Sequence, residues 1–153
     1  MPYLIDGHNL IPKLGLRLES PDDEMELVAI LQEFSRLQRR GVEVYFDGAP
    51  AGQARTRKFG LVTAHFVRLG FSADSAIKGR LREMKGEARN WIVVSSDHEV
   101  QGAARAAQAG AISSEKFSEL LRASGRASLQ AGGEEKLSTE EIDEWLKLFR
   151  RDE

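Results

Sequence analysis

The sequence predicts an α/β fold with a mainly parallel central sheet. Two observations carry this. Short apolar, β-branched or aromatic runs recur along the chain, and between them lie stretches with apolar residues at helical spacing. Strands that alternate with helices of this kind build a parallel sheet with helices packed on it. A third observation predicts where function sits: three of the strand runs end in an aspartate, two directly and the third after one serine.

The first run, PYLI at 2–5, ends in Asp6. After Ser20-Pro21 an acid-rich first turn, Asp22 to Glu26, leads into Leu27, Ile30, Leu31, Phe34 and Leu37, and a basic last turn with a glycine stop, Arg39-Arg40-Gly41, closes that helix. Runs at 42–46 (VEVYF) and 61–67 (LVTAHFV) follow. A second helix is expected from about Ala73 to Met84, with Ala73, Ile77, Leu81 and Met84 on one face. The run WIVVS at 91–95 precedes an alanine-rich helix from about His98 to Gln108 that stops at Gly110, and AIS at 111–113 reads as a last short strand. From Arg122 to Gly133 the apolar spacing is lost, which reads as a flexible linker or long loop. Beyond it Ser138 and Glu141 have capping-box spacing ahead of an amphipathic stripe of Ile142, Trp145, Leu146 and Phe149. The expected organisation is a domain over 1–122, a linker over 123–137 and a C-terminal helix and tail over 138–153.

At 153 residues the chain can bury a core without disulfides. It has no cysteine, so thiolate metal sites and cysteine nucleophiles are excluded, and a reducing cytoplasm is the expected location. No basic leader and no apolar stretch of about 18 residues is present, so neither a signal peptide nor a membrane span is expected. The net charge of -2 argues against a general nucleic-acid coat protein, yet Gly48 to Ala73 contains no acid and includes Arg55, Arg57, Lys58 and Arg68. A basic segment in a mildly acidic chain suits an anionic partner.

In a parallel sheet the carboxyl ends of the strands share one edge, where ligands bind. Asp6, Asp47 and Asp97 each follow a strand run, and Asp74 opens a helix, so the four are expected to converge. Each has a plain structural use. Asp47 before Gly48 serves a turn, Asp74 favours a helix N-terminus, Asp97 caps a helix, and Asp6 alone has no such excuse. Crowded carboxylates repel unless a cation neutralises them, and an all-oxygen site suits Mg2+ or Mn2+. Phosphodiester hydrolysis is the leading chemistry expected of such a site.

YLIDGHNLI at the start, VYFDG before a basic loop, SADSAIKGRL opening a helix, and WIVVSSDHEV followed by GAISSEKF resemble the YacP-like NYN domains of the PIN-like nuclease superfamily. The resemblance spans roughly residues 2–122. It implies a three-layer α/β/α PIN-like fold, metal-dependent cleavage of RNA, and site positions at Asp6, Asn9, Asp47, Asp74 and Asp97. Where many members carry a second acid after the one that opens the middle helix, this chain has Ser75.

On this reading Asp6 and Asp97 hold the metal with Asp74 beside them, and Asp47 completes the pocket or positions water. The Asn9 amide holds a carboxylate or a phosphate. Arg55, Arg57 and Lys58 contact RNA phosphates, with Lys78, Arg80 and Arg82 as another path, and Ser96 either bonds a phosphate or fills a turn. Of the histidines, His8 lies beside the pocket, His65 packs within a strand and His98 belongs to a first helical turn. A haloacid-dehalogenase phosphatase would need an aspartate where His8 stands. A receiver domain would need a lysine after a late strand, and no nucleotide-binding glycine pattern is present. The alternative from another class is a non-catalytic RNA- or ribosome-binding module that keeps the metal pocket.

Overall fold

The computed structural model describes residues 1–15, 23–49, 52 and 55–130, with side chains through residue 125. Its strands are β1 (Tyr3–Asp6), β2 (Val42–Ala49), β3 (Arg55–Phe59), β4 (Val62–Arg68), β5 (Ile92–Val94) and β6 (Gly110–Ile112). They form a six-stranded sheet in the order β3-β4-β2-β1-β5-β6. Every neighbouring pair is parallel except β3 with β4. The helices are α1 (Gly7–Leu10), which continues into a 3₁₀ turn over Ile11–Leu14, then α2 (Asp23–Gln38), α3 (Ala73–Met84), α4 (His98–Ala106) and α5 (Ser114–Gln130).

The alternation of side chains along each strand sorts the core into two layers. Tyr3, Ile5, Val42, Val44, Phe46, Ile92 and Val94 pack on one face with Leu27, Leu31 and Phe34 of α2 and Phe117, Leu120 and Leu121 of α5. Leu4, Tyr45 and Val93 pack on the other with Ala73, Ile77, Leu81 and Met84 of α3 and Val100 and Ala104 of α4. The result is the expected three-layer α/β/α arrangement. It also explains why three residues suffice for β5: Ile92, Val93 and Val94 are all buried, and each contributes roughly 1.5–3 kcal/mol of apolar burial.

Two elements depart from expectation. The basic stretch after Asp47 is in part a strand, β3, rather than only a loop. Its RTRKF sequence lacks an apolar face because it is an exposed edge, where charged side chains also guard against pairing with other chains. A two-residue hairpin, Gly60-Leu61, joins it to β4, with Gly60 at φ +65°. The second departure is α5, which runs through residues 123–130, so the linker expected from 123 does not begin there. Phe117, Leu120, Leu121 and Ser124 form one buried stripe, and a serine in an apolar slot breaks the pattern by sequence but not in space. The expected C-terminal helix over 138–153 lies outside the described residues.

The glycine of the DGHN stretch has a specific cause. A Cβ on Gly7 would overlap the Phe46 ring and stand 2.9 Å from the Tyr45 carbonyl oxygen. Only glycine lets α1 turn directly off β1 against β2, and that turn sets the position of His8 and Asn9.

Candidate active site

The carboxyl edge of the sheet gathers the predicted acids, but in two groups with Asp6 between them. Asp6 ends β1 opposite Tyr45 of β2 and is only 6% exposed. Burial, with the negative charges of Asp74 and Asp47 added to it, pushes its carboxyl up to about 6, against the opposing pull of the Asn9 backbone N–H and His8. The Ser95 hydroxyl reaches it at 3.4 Å, and the Asp97 N–H donates to that hydroxyl at 3.1 Å. Asp6 is therefore linked through one serine to the start of α4.

The first group is Asp74, Asp97 and Glu99, each offering an oxygen within 4.8 Å of the others. Asp97 caps α4, as its plain reading expects, by accepting from the Glu99 and Val100 N–H groups at 2.8 and 3.3 Å. Capping uses one oxygen, and a carboxylate has lone pairs left for another ligand. Burial and then Asp97 raise the pKa of Asp74. Lys78 pairs with Glu99 at 3.0 Å and partly offsets the charge on Asp74. The donor set is all carboxylate, and ligand oxygens sharing one Mg2+ or Ca2+ lie at most about 4–5 Å apart, so the spread fits a divalent cation.

The second group surrounds His8. Its Nδ1 lies 2.9 Å from Asp47 Oδ1 and its Nε2 2.7 Å from Glu24 Oε2. The bond to Glu24 raises the pKa of His8, burial opposes, and Asp47 adds to the rise. Asp47 also accepts the Ala73 N–H at 3.3 Å, an otherwise unsatisfied donor at the start of α3. Asp47 is thus a brace between β2, α1 and α3 rather than a member of the tighter acidic group. A cleft of about 220 Å³ beside it is lined by Glu24, Met25, Asp47, Arg55, Arg57 and Phe66.

Asn9 and Ser96 are at the edge but occupied. The Asn9 side-chain oxygen accepts the Ser96 N–H at 2.8 Å and the Ser114 hydroxyl at 2.6 Å. The Ser96 hydroxyl donates to Glu115 at 2.5 Å and accepts the Ser114 N–H at 3.0 Å. Glu115 completes the staple with Lys13 at 2.8 Å, and these two partners hold its carboxyl down at about 2. Ser96 is accordingly a turn residue, the plainer of its two readings, and Asn9 holds two loops in place.

The basic trio is split. Strand alternation sends Arg55 and Arg57 to the cleft beside Asp47, while Lys58 lines an open groove on the other face with Glu43, Tyr45, His65 and Arg80. Arg80 is engaged with Glu43, and Lys78 with Glu99. His65 bonds Glu43 and Thr56 and stacks on Tyr45, and His98 stands exposed on the first turn of α4.

Sequence reasoning missed Glu99 and Glu24. Glu99 brings a third carboxylate to the group to which Ser75, bonded to the cap residue Ser72, brings none. Its signal was its place two residues after Asp97. Glu24 was hidden among the acids of an N-terminal helical turn, where the helix dipole already accounts for acids.

A mostly parallel α/β/α sheet with acids gathered on its carboxyl edge is the architecture of a PIN-like domain. The profile of the YacP-like NYN domain matches residues 3–150, and the chain belongs to that family. Membership supports a nuclease-type, RNA-related function, and the acidic group is a candidate cation site. The fold is similar to the crystal structure of Rae1 (YacP) from Bacillus subtilis, at 20% identity and a TM-score of 0.63, covering 86% of this chain and 80% of that one. A tryptophan-to-leucine mutant of the same Bacillus subtilis protein matches at 24% identity and a TM-score of 0.63, over 99% and 96% of the two chains. No curated protein gives a significant match. Among the described residues no helix is long and apolar enough to cross a membrane.

Proposed function

We propose that this protein is a divalent-cation-dependent ribonuclease, with Mg2+ or Mn2+ as the working ion, acting on RNA in the cytoplasm. One observation carries the reading: Asp74, Asp97 and Glu99 crowd together, Asp74 adds its charge to a buried Asp6 that is pushed up to about 6, and among the described residues Lys78, paired with Glu99, is the cation bonded into the group. Such crowding costs free energy that a bound cation removes. Asp74, Asp97 and Glu99 would hold the ion, with the buried Asp6 assisting directly or through a water.

A divalent cation there supplies an offset to phosphate charge and a lowered pKa for water. The remaining work belongs to the chain. Asp47, fixed by His8 and the Ala73 N–H, keeps the start of α3 and therefore Asp74 in register with the strand ends. Arg55 and Arg57 meet the phosphates of the strand on the β2 side, positioning the backbone without reading bases.

The test is cleavage of a mixed RNA pool by the full chain, beside Asp97→Asn and Asp6→Asn controls. Magnesium or manganese is expected to support cleavage and chelation to abolish it reversibly. Calcium takes oxygen ligands at longer distances, so it is expected to raise the melting temperature with little cleavage. Each variant is expected to lose activity on the order of 100-fold or more. RNA binding without cleavage under any of these ions would point instead to an RNA- or ribosome-binding module. Full activity in excess chelator would sink the cation requirement.

A further inference from the structure

Between β4 and α3 the chain runs Leu69-Gly70-Phe71-Ser72, and it leaves Leu69 70% and Phe71 59% exposed. A lone exposed apolar residue means nothing, but this loop is built. The Leu69 N–H donates to the Ala49 carbonyl at 2.8 Å, and the Phe71 N–H donates to the Arg68 carbonyl at 3.0 Å. Ser72 caps α3 through the Ser75 N–H, and the next residue is tied to Asp47. Both ends of the loop are therefore fastened to the carboxyl end of β2, and Phe71 stands three residues before Asp74.

The Phe71 ring belongs to neither core cluster. The Arg68 guanidinium lies 5.4 Å from its centroid, which fixes the ring against a cation and leaves ring surface for a flat partner. No acid occurs from Gly48 to Ala73, so an anionic strand meets no like charge along this segment. An aromatic ring beside a cation, at the rim of a site that takes a phosphodiester, matches the way unpaired nucleobases are held: the base stacks on the ring and the cation serves the backbone.

We propose that Phe71, backed by Arg68, is a nucleobase-stacking site at the lip of the acidic edge. It rests on the RNA reading of that edge and adds what holds the strand there, a base as well as its phosphates. An apolar protein partner would be served as well by Leu69 alone and would have no use for the arginine against the ring.

The experiment measures binding by the full chain in calcium, using a labelled oligoadenylate, the same sugar-phosphate strand without bases, and a blunt RNA duplex. Phe71→Ala is expected to weaken oligoadenylate binding about tenfold and to leave the abasic strand and the duplex unchanged. Phe71→Trp is expected to restore affinity, and its added emission over wild type to be quenched by oligoadenylate but not by the abasic strand. Equal losses on the based and abasic strands would overturn stacking. Unchanged oligoadenylate affinity in Phe71→Ala would overturn it too, leave the RNA reading intact and assign the patch to a protein. Absence of RNA binding by the wild type would overturn both.

Discussion

Glu43 on β2 and Asp6 on β1 are carboxylates on neighbouring strands, largely removed from water, in opposite electrostatic surroundings. Burial alone would raise Glu43, but His65 at 3.1 Å and both Arg80 bonds, at 3.1 and 3.0 Å, pull its carboxyl down to about 2. The Tyr45 hydroxyl donates to it at 3.2 Å and is itself pushed up by burial and by that carboxylate. Asp6 has acids for neighbours instead, and burial carries it to about 6. Glu43 is a finished network that pins α3 to the sheet. Asp6 belongs to a network in which acids outnumber cations among the described residues, the arrangement on which the proposed cation site rests.

Breaking the finished network has the largest stability effect. Glu43→Ala leaves Arg80 and His65 facing each other without their acid, and should cost on the order of 2 kcal/mol, a figure discounted because Arg80 is 34% exposed. Urea titration at neutral pH measures it, and a loss near zero would mean that the network contributes nothing.

The Asp6 network should respond with the opposite sign. In chelator at pH 7, Asp6→Asn is expected to stabilise the protein by on the order of 1–2 kcal/mol, because the folded state resists ionising Asp6. Asp6 is raised from 3.8 to about 6, so its ionisation subtracts stability as pH rises through that window, and the gain from Asn should vanish below pH 4. Glu43 is lowered from 4.5 to about 2, so its contribution is present above pH 4.5 and is lost as pH falls toward 2. Paired pH–stability curves of Asp6→Asn and Glu43→Gln separate the two windows. Added magnesium should reverse the ranking of wild type and Asp6→Asn, and destabilisation by Asp6→Asn in chelator would mark Asp6 as structural.

The smallest effect concerns the two faces of β3. Replacing Arg55 and Arg57 together by alanine should flatten the salt dependence of RNA binding by a slope of about 1.4, two phosphate contacts on a single strand. Lys58→Ala, in the groove of the Glu43 network, should leave the slope unchanged. Equal slopes for both variants would mean that the strand crosses the edge rather than following one face.

Local sequence determined the layers and most of the acids. Apolar runs of period two and stripes of period 3.6 state which side chains leave water, and aspartates placed directly after strands must reach the carboxyl edge once the sheet is parallel. Those are statements about neighbours in the chain. Asn9 meets Ser96 and Ser114 across 87 and 105 residues, and His8 meets Glu24 and Asp47 across 16 and 39. No spacing rule contains such meetings, because they follow from strand order rather than from period. Tertiary structure decided that Asp47 braces α3, that Glu99 joins Asp74 and Asp97, and that Lys58 leaves the arginines. The physical reason is that periodicity assigns a side chain to a face, while the charge it meets there is set by whichever distant element the sheet brings alongside.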